Sequence, residues 1–263
     1  MSEQQPFETD DAEALRQGMA GDRSPRVEGL NNLPPTERRV ALRRLAAAGR
    51  EIIDVMSQTS ADTAELDEAA EALEAVVTLL KESPGGAPYE GVAELANAGA
   101  ILAQRRELVQ AGDPEAWAQF DFSPLIGLAN PMSPPLRMRY EDDRVIAEVT
   151  FGAAFEGPPS CVHGGYVAAA FDEVLGAAQS LAGEQGMTAN LSIDYRSPTP
   201  LMSPLRVEAW LERSEGRKIY VRGEMRDGDR VTAEATGLFI AFNSAKFLEL
   251  LQNRVAMTKK PGF

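Results

Sequence analysis

The first half of the chain carries apolar residues at helical spacing. After Pro34-Pro35-Thr36, which open a helix, they recur every three or four positions at Leu42, Leu45, Gly49, Ile52 and Met56. A second helix is predicted from about Asp62 to Glu82, with a stripe at Leu66, Ala69, Leu73, Val76 and Leu80. Because each stripe needs a partner, this helical hairpin is expected to pack on itself, on the rest of the chain or on a second subunit.

After Leu136 the apolar period changes from helical spacing to two. Between Met138 and Phe151 this alternation predicts a β-hairpin, or one long first strand, with a turn at Asp142-Asp143. After a loop and one helix, four more strands are predicted at about 189–196, 205–213, 217–226 and 230–241. The connections between the last three are short enough for hairpins. The pattern therefore indicates an α+β fold in which one helix lies across a curved antiparallel sheet.

The predicted central helix, residues 165–182, is apolar around most of its circumference. Its alanines and Gly176 make it thin, which suits a helix that a sheet wraps closely. Asp172 and Glu173 interrupt this pattern and lie about 100° apart around the axis. A carboxylate kept in a buried helix is costly, so one of the two is a candidate site residue. The alternative is that both acids lie on one exposed edge.

The loop before this helix contains the only histidine of the chain, His163, followed by Gly164 and Gly165. Backbone N–H groups at a helix N-terminus are unsatisfied, and glycine lets a ligand approach them closely. Such donors suit a thioester carbonyl that becomes an oxyanion during attack. Asp172 follows Gly165 by two helical turns, so both residues are expected on roughly the same face.

The charge balance narrows the possible ligands. The net charge is −14, and residues 1–136 account for most of it, with 11 Lys and Arg against 23 Asp and Glu. Such a surface repels phosphate backbones, so nucleic-acid binding is not expected. A polyanionic ligand is expected to prefer the nearly neutral part from residue 137 onward.

Cys161, the only cysteine, cannot form an internal disulfide, and no apolar run is long enough to cross a membrane. The N-terminus also lacks the pattern of an export signal. A cytoplasmic location is therefore expected. No residues have metal-ligand spacing and no phosphate loop is present, so no metal or redox cofactor is expected. Cys161 lies two residues from His163 but has no orienting third group, which argues against a thiol nucleophile.

At these residues the sequence resembles the hotdog-fold thioesterase superfamily. The resemblance rests on the triplet His163-Gly164-Gly165, on the acid nine positions after the histidine, and on the run MTANLSIDYRSPTP at 187–200. It is strongest for the PaaI-like branch, the phenylacetate-pathway type, and for the related mammalian acyl-CoA hydrolases, and it covers about residues 120–242. The expected organisation is a flexible acidic N-terminus at 1–30, a helical extension at 31–118, the hotdog domain at 119–242 and a tail at 243–263.

The resemblance implies hydrolysis of acyl-CoA or aryl-CoA thioesters, with coenzyme A present only as part of the substrate. Asp172 would be the nucleophile or the general base for water, and the Gly165 N–H would polarise the thioester carbonyl. His163 would position the substrate or the loop, and Thr188 would hold the attacking water. In this fold the site forms between two subunits, so Thr188 would face Asp172 of the other chain in a homodimer or a dimer of dimers.

Basic residues near the predicted hairpin at 214–216 are candidates for the nucleotide end of coenzyme A, although exposed arginines are usually just solvated. They are Arg213, Arg217, Lys218 and Arg222, and Gly164 joins Arg217 and Lys218 as a substrate-binding candidate. His163 as a loop cap and Thr188 as an ordinary strand residue are the structural alternatives. A hotdog dehydratase is disfavoured, because the loop lacks a His-Phe-Pro-Gly style signature. The functional alternative is a non-catalytic acyl-CoA-binding regulator whose acidic hairpin recruits a partner.

Overall fold

The computed structural model describes residues 37–83, 121–184 and 186–241. The helices are α1 (Glu37–Met56), α2 (Thr63–Lys81) and α3 (Gly164–Ala178). The strands are β1 (Arg137–Glu141), β2 (Arg144–Thr150), β3 (Gly186–Tyr195), β4 (Pro204–Glu215), β5 (Lys218–Asp227) and β6 (Arg230–Ala241). The expected flexible N-terminus at 1–30, the stretch 84–120 and the tail at 243–263 lie outside the described residues.

The six strands form one antiparallel sheet in the order β1-β2-β4-β5-β6-β3. The predicted tight turns are present, and their positive φ angles fall on Asp142, Gly216 and Gly228. The strand after α3 crosses to the far edge, so β3 pairs only with β6. The predicted α+β architecture, with one helix across an antiparallel sheet, is confirmed.

Helix α3 packs its apolar face on this sheet and forms the centre of the core. Its buried residues are Val167, Ala170, Phe171, Val174, Leu175 and Ala178. The close approach predicted from a thin helix rests on its buried Ala170 and Ala178 and also on glycines of the sheet. A Cβ on Gly223 would meet the Leu175 side chain at 2.8 Å, and one on Gly237 would meet it at 3.0 Å. Gly176 faces open space, so its role in the predicted packing was wrong.

Helix α1 docks on the loop that leads into the sheet. Arg43 donates to Asp121 at 2.8 Å and 3.1 Å, and both side chains are largely buried. Arg50 donates to the carbonyls of Leu128 and Asn130. Near the other end of α1, Asp54 accepts the Ala153 N–H at 2.9 Å. Charged groups therefore fix this helix to the domain. The prediction that its apolar stripe packs was wrong for Leu45, Ile52 and Met56, which are exposed, because the docked face is the one that carries Arg39 and Ala46.

Helix α2 begins with a capping box, in which Asp62 and Glu65 each accept a backbone N–H from the other's position. None of its residues is buried, and its apolar residues are exposed at Leu66, Leu73, Val76, Val77, Leu79 and Leu80. The stripe predicted on this helix is therefore present but has no partner among the described residues. The helical hairpin was expected to pack on itself, on the rest of the chain or on a second subunit. Among the described residues, only α1 packs on the rest of the chain.

Candidate active site

His163 is the N-cap of α3, and its side chain closes the first turn of the helix. Its Nδ1 accepts the Gly165 N–H at 3.0 Å, while its own backbone N–H donates to the Phe155 carbonyl at 2.9 Å. His163 and Gly165 are both exposed. The predicted donor of the oxyanion site is thus at the surface, but a histidine nitrogen already accepts its hydrogen bond.

Gly164 is held from the opposite side by a residue that the sequence reasoning did not single out. Tyr195, the last residue of β3, donates its hydroxyl to the Gly164 carbonyl at 2.9 Å. The sequence contains a pattern that predicts this position. Leu191, Ile193 and Tyr195 alternate along the strand, so all three side chains lie on the sheet face that α3 covers.

Asp172 lies on the exposed side of α3, where Thr188 of β3 contacts it. The Thr188 hydroxyl donates to Asp172 Oδ1 at 2.9 Å, and both residues are exposed. A β-bulge between Thr188 and Asn190 brings Thr188 to this face, because one extra residue reverses the alternation before Leu191. Strand β3 thus contacts the first turn of α3 at one end and its middle at the other.

Glu173 is the less exposed member of the acidic pair, and it is partly buried. Its Oε1 accepts the Ser123 hydroxyl at 2.9 Å, and that hydroxyl oxygen in turn accepts the N–H of Leu125. Burial raises the pKa of Glu173, the Ser123 hydrogen bond lowers it, and the nearby Asp172 charge raises it again, with burial the largest effect. The more buried carboxylate of the pair is therefore Glu173, which is partly buried and ties the entry loop to α3, while Asp172 faces solvent.

Replacing Glu173 by Gln should stabilise the protein at neutral pH. A carboxyl whose pKa is raised by folding favours the folded state at acid pH, and this contribution is lost as pH rises through the folded pKa. Gln keeps an acceptor for Ser123 without the charge. Unfolding by urea should therefore show Glu173→Gln above the wild type at pH 7, with the difference shrinking as pH falls through the folded pKa and gone below about pH 4.3, the pKa of an unperturbed Glu. A Gln variant that is less stable than the wild type, by the same amount at pH 7 and at pH 4, would contradict this account.

The structure brings the predicted residues together along one side of α3. His163, Gly164 and Gly165 form its start, and Asp172 with Thr188 lies two turns further on. The prediction that Thr188 faces Asp172 of another chain differs from the structure, where the two residues contact each other within one chain. The reason is the bulge in β3, which turns the threonine toward its own helix.

The basic residues of the β4–β5 hairpin have different environments. Arg213 stacks on Tyr220 and pairs with Glu215, and Arg222 pairs with Glu212. Arg217 donates to the Ala241 carbonyl. Lys218 is exposed and forms no ion pair with a described residue. It lies opposite Ile240, which is itself opposite Met187, so this hairpin is at the same end of the sheet as Thr188.

Within residues 37–83, 121–184 and 186–241, no group of His, Cys, Asp or Glu side chains is arranged to hold a metal ion. Cys161 is a partly buried free thiol. Among the described helices, none has the length and apolar character needed to cross a membrane.

Comparison with known proteins places this arrangement in a family. The sequence profile of the thioesterase superfamily matches residues 160–234, which include α3 and the strands around it. The chain is 36% identical over 108 residues to acyl-coenzyme A thioesterase THEM4 of Bos taurus, covering 40% of this chain and 44% of that protein. It is 34% identical over 91 residues to acyl-coenzyme A thioesterase THEM5 of Homo sapiens, covering 34% and 37%. The chain thus spans less than half the length of these curated relatives.

One solved structure matches over most of both chains. It is protein RHA08564, a thioesterase superfamily protein, with 32% sequence identity and a TM-score of 0.61. The match covers 79% of this chain and 97% of that one. This chain therefore belongs to the thioesterase superfamily and has its hotdog fold.

Proposed function

We propose that this protein hydrolyses acyl-CoA or aryl-CoA thioesters to the free acid and coenzyme A. The observation that carries the proposal is the contact of Thr188 with Asp172 on the open side of α3, two turns from the Gly165 N–H. A carboxylate held by a hydroxyl and a backbone donor on one helix face are the two groups that thioester hydrolysis needs. The relatives named as acyl-coenzyme A thioesterases support the same substrate class.

In the proposed reaction the Asp172 carboxylate takes a proton from water, and the water oxygen attacks the thioester carbonyl carbon. The carbonyl oxygen becomes an oxyanion that accepts the Gly165 N–H. When the C–S bond breaks, the coenzyme A thiolate leaves and takes the proton from Asp172, which regenerates the carboxylate. In the other route, Asp172 attacks directly and water then cleaves the resulting anhydride. Both routes use the carboxylate of Asp172, whose Oδ1 accepts the Thr188 hydroxyl.

The spacing on the helix suits this chemistry. Asp172 follows Gly165 by seven positions, about 10 Å along the helix axis. A thioester carbonyl bound to the N–H and a water bound to the carboxylate fill a gap of this size. The substrate must displace His163 Nδ1 from the Gly165 N–H. We propose that the released imidazole then contacts the substrate, which gives His163 its positioning role.

The nucleotide end of coenzyme A is assigned to the β4–β5 hairpin. Lys218 is exposed there, and Arg217 beside it is fixed by the Ala241 carbonyl. A fixed guanidinium and a mobile ammonium together suit phosphate groups. Gly164 is assigned to the carbonyl end, where its lack of a side chain leaves room for the Tyr195 hydroxyl beside the first helical turn.

A homodimer is proposed as the functional unit. Strand β3 is an edge strand with exposed Met187 and Tyr195, and it borders the open side of α3. An unpaired edge of this length is an aggregation hazard unless another strand or chain covers it. A second copy paired along β3 would cover both the edge and the site, and two such dimers could assemble further. A reducing, cytoplasmic compartment is proposed from the free thiol of Cys161.

The second candidate is an acyl-CoA-binding regulator. The observation that favours it is α2, whose apolar residues are exposed and flanked by Glu65, Asp67, Glu68, Glu71 and Glu74. Such a surface suits a protein partner, as a regulator would require. A regulator does not need the Asp172–Thr188 contact, so the hydrolase is the preferred function.

A panel of acyl-CoAs that differ in chain length and aromatic character separates the two functions. A hydrolase releases free coenzyme A and carboxylic acid in equal amounts over many turnovers. Because thiol reagents also react with cysteine, Cys161→Ser protein is the control for the release assay. Tight binding of several acyl-CoAs without cleavage of any would contradict the hydrolase and favour the regulator.

A further inference from the structure

The Gly164–Gly165 peptide group is held at both of its polar atoms. Its carbonyl accepts the Tyr195 hydroxyl at 2.9 Å, and its N–H donates to His163 Nδ1 at 3.0 Å. Because a peptide group is planar, fixing the direction of the carbonyl also fixes the direction of the N–H. The contact made by Tyr195 therefore acts on the same N–H that is proposed to bind the thioester oxygen.

Gly164 allows this contact to be short. A Cβ on this residue would lie 3.3 Å from the Tyr195 hydroxyl oxygen and 3.4 Å from the ring carbon that carries it. Any larger residue would push the tyrosine away from the carbonyl. Tyr195 itself is 56% exposed, so its packing contributes little to the core, and its hydrogen bond is its main interaction with α3.

A hydrogen bond to a carbonyl also polarises the peptide group. It draws electron density toward the oxygen and leaves the N–H a stronger donor, the same cooperativity that strengthens chains of hydrogen bonds. We infer that Tyr195 is a positioning residue that orients and strengthens the Gly165 N–H for the oxyanion. This inference rests on the proposed thioester hydrolysis, and it adds a residue on β3 to the donor site on α3.

Tyr195→Phe tests the inference, and Tyr140→Phe is the matched control. The Tyr140 hydroxyl donates to the Ala177 carbonyl at the other end of the same helix. Loss of one neutral hydrogen bond that acts on the transition state should lower kcat about tenfold in Tyr195→Phe. KM should change less than twofold, and Tyr140→Phe should keep wild-type kcat. Equal kcat in Tyr195→Phe and the wild type, or equal losses in both variants, would overturn the inference.

Fluorinated tyrosines at position 195 separate positioning from simple packing. Fluorine makes the phenol a stronger hydrogen-bond donor with little change in shape. The account predicts that kcat rises from Phe to Tyr and again with fluorination, at a pH where the fluorinated phenol is still protonated. If kcat does not change with the donor strength of the phenol while the free energy of unfolding does, Tyr195 has only a structural role.

An amide signal tests Tyr195 without activity. Glycine labelled with 13C at the carbonyl and 15N at nitrogen gives coupled signals only from Gly-Gly pairs, of which the sequence has two, at 85–86 and 164–165. In a Gly85→Ala background, only Gly165 remains. Its 15N frequency should decrease in Tyr195→Phe and stay unchanged in Tyr140→Phe. If the wild type cleaves no acyl-CoA, the proposed hydrolase function fails, but this 15N signal still tests whether Tyr195 polarises the peptide group. An unchanged Gly165 signal in Tyr195→Phe would overturn the inference.

Discussion

Asp172→Asn should lower kcat for acyl-CoA hydrolysis at least a hundredfold while acyl-CoA still binds. The amide keeps the shape of the side chain, and its oxygen can still accept the Thr188 hydrogen bond, but it cannot take a proton from water or attack a carbonyl. A hundredfold loss corresponds to about 2.7 kcal/mol of transition-state stabilisation. Stopped-flow or steady-state release of coenzyme A gives kcat, and calorimetry with a non-cleavable thioether analogue gives binding.

A double-mutant cycle with Thr188 tests whether the two residues act as a unit. Thr188→Val removes the hydroxyl that holds Asp172 Oδ1 and should lower kcat about tenfold, the size expected for a hydrogen bond to a charged group. In Asp172→Asn protein, the same change should have little further effect. Independent losses that multiply in the double variant would show that Thr188 contributes by some route other than the Asp172 carboxylate.

Asp121→Ala should lower the free energy of unfolding by about 3 kcal/mol. Asp121 is 6% exposed at its side chain and pairs with Arg43 at 2.8 Å and with Arg39 at 3.8 Å. Removing the carboxylate leaves largely buried guanidinium groups beside one another, and breaking a buried pair from one side is among the most costly single changes. Urea unfolding measures the loss, and faster proteolysis within α1 should accompany it.

The control is an ion pair of similar length at the surface. Arg139 and Glu141 lie 2.6 Å apart, but the glutamate side chain is 50% exposed. Glu141→Ala should therefore leave the unfolding midpoint nearly unchanged, since exposed pairs contribute little. If both variants lose equal stability, burial is not what makes the Asp121 cluster important, and α1 docks by its apolar contacts.

Much of the fold follows from local patterns. The two apolar periods predicted the strands, the central helix and both N-terminal helices close to their observed bounds. Burial of one face explains the period in the strands and in α3, whereas most of the apolar stripe of α1 and α2 is exposed. Which surface an apolar helix face packs against depends on residues far away in the sequence. The apolar stripe of α2 was predicted from Leu66 to Leu80, but its spacing does not show which surface covers it. Among the described residues, none does.

The site divides in the same way. The triplet at 163–165 and Asp172 fall on one helix, so sequence spacing was enough to place them on one side. The Thr188 contact depends on a bulge, which changes the face of a strand residue without any signal in the apolar period. Likewise, spacing cannot say which of two adjacent acids is buried. That depends on Ser123, 50 residues earlier, which contacts Glu173 and leaves it the less exposed of the two acids.

The most direct test of this account compares the two neighbouring carboxylates under saturating acyl-CoA. Asp172 faces the open side with Thr188, and Glu173 faces the entry loop with Ser123. The account predicts that Asp172→Asn loses at least a hundredfold in kcat for coenzyme A release. Glu173→Gln should stay within a few-fold of the wild type. A kcat that survives Asp172→Asn, or that falls equally in both variants, would contradict the assignment of the chemistry to Asp172.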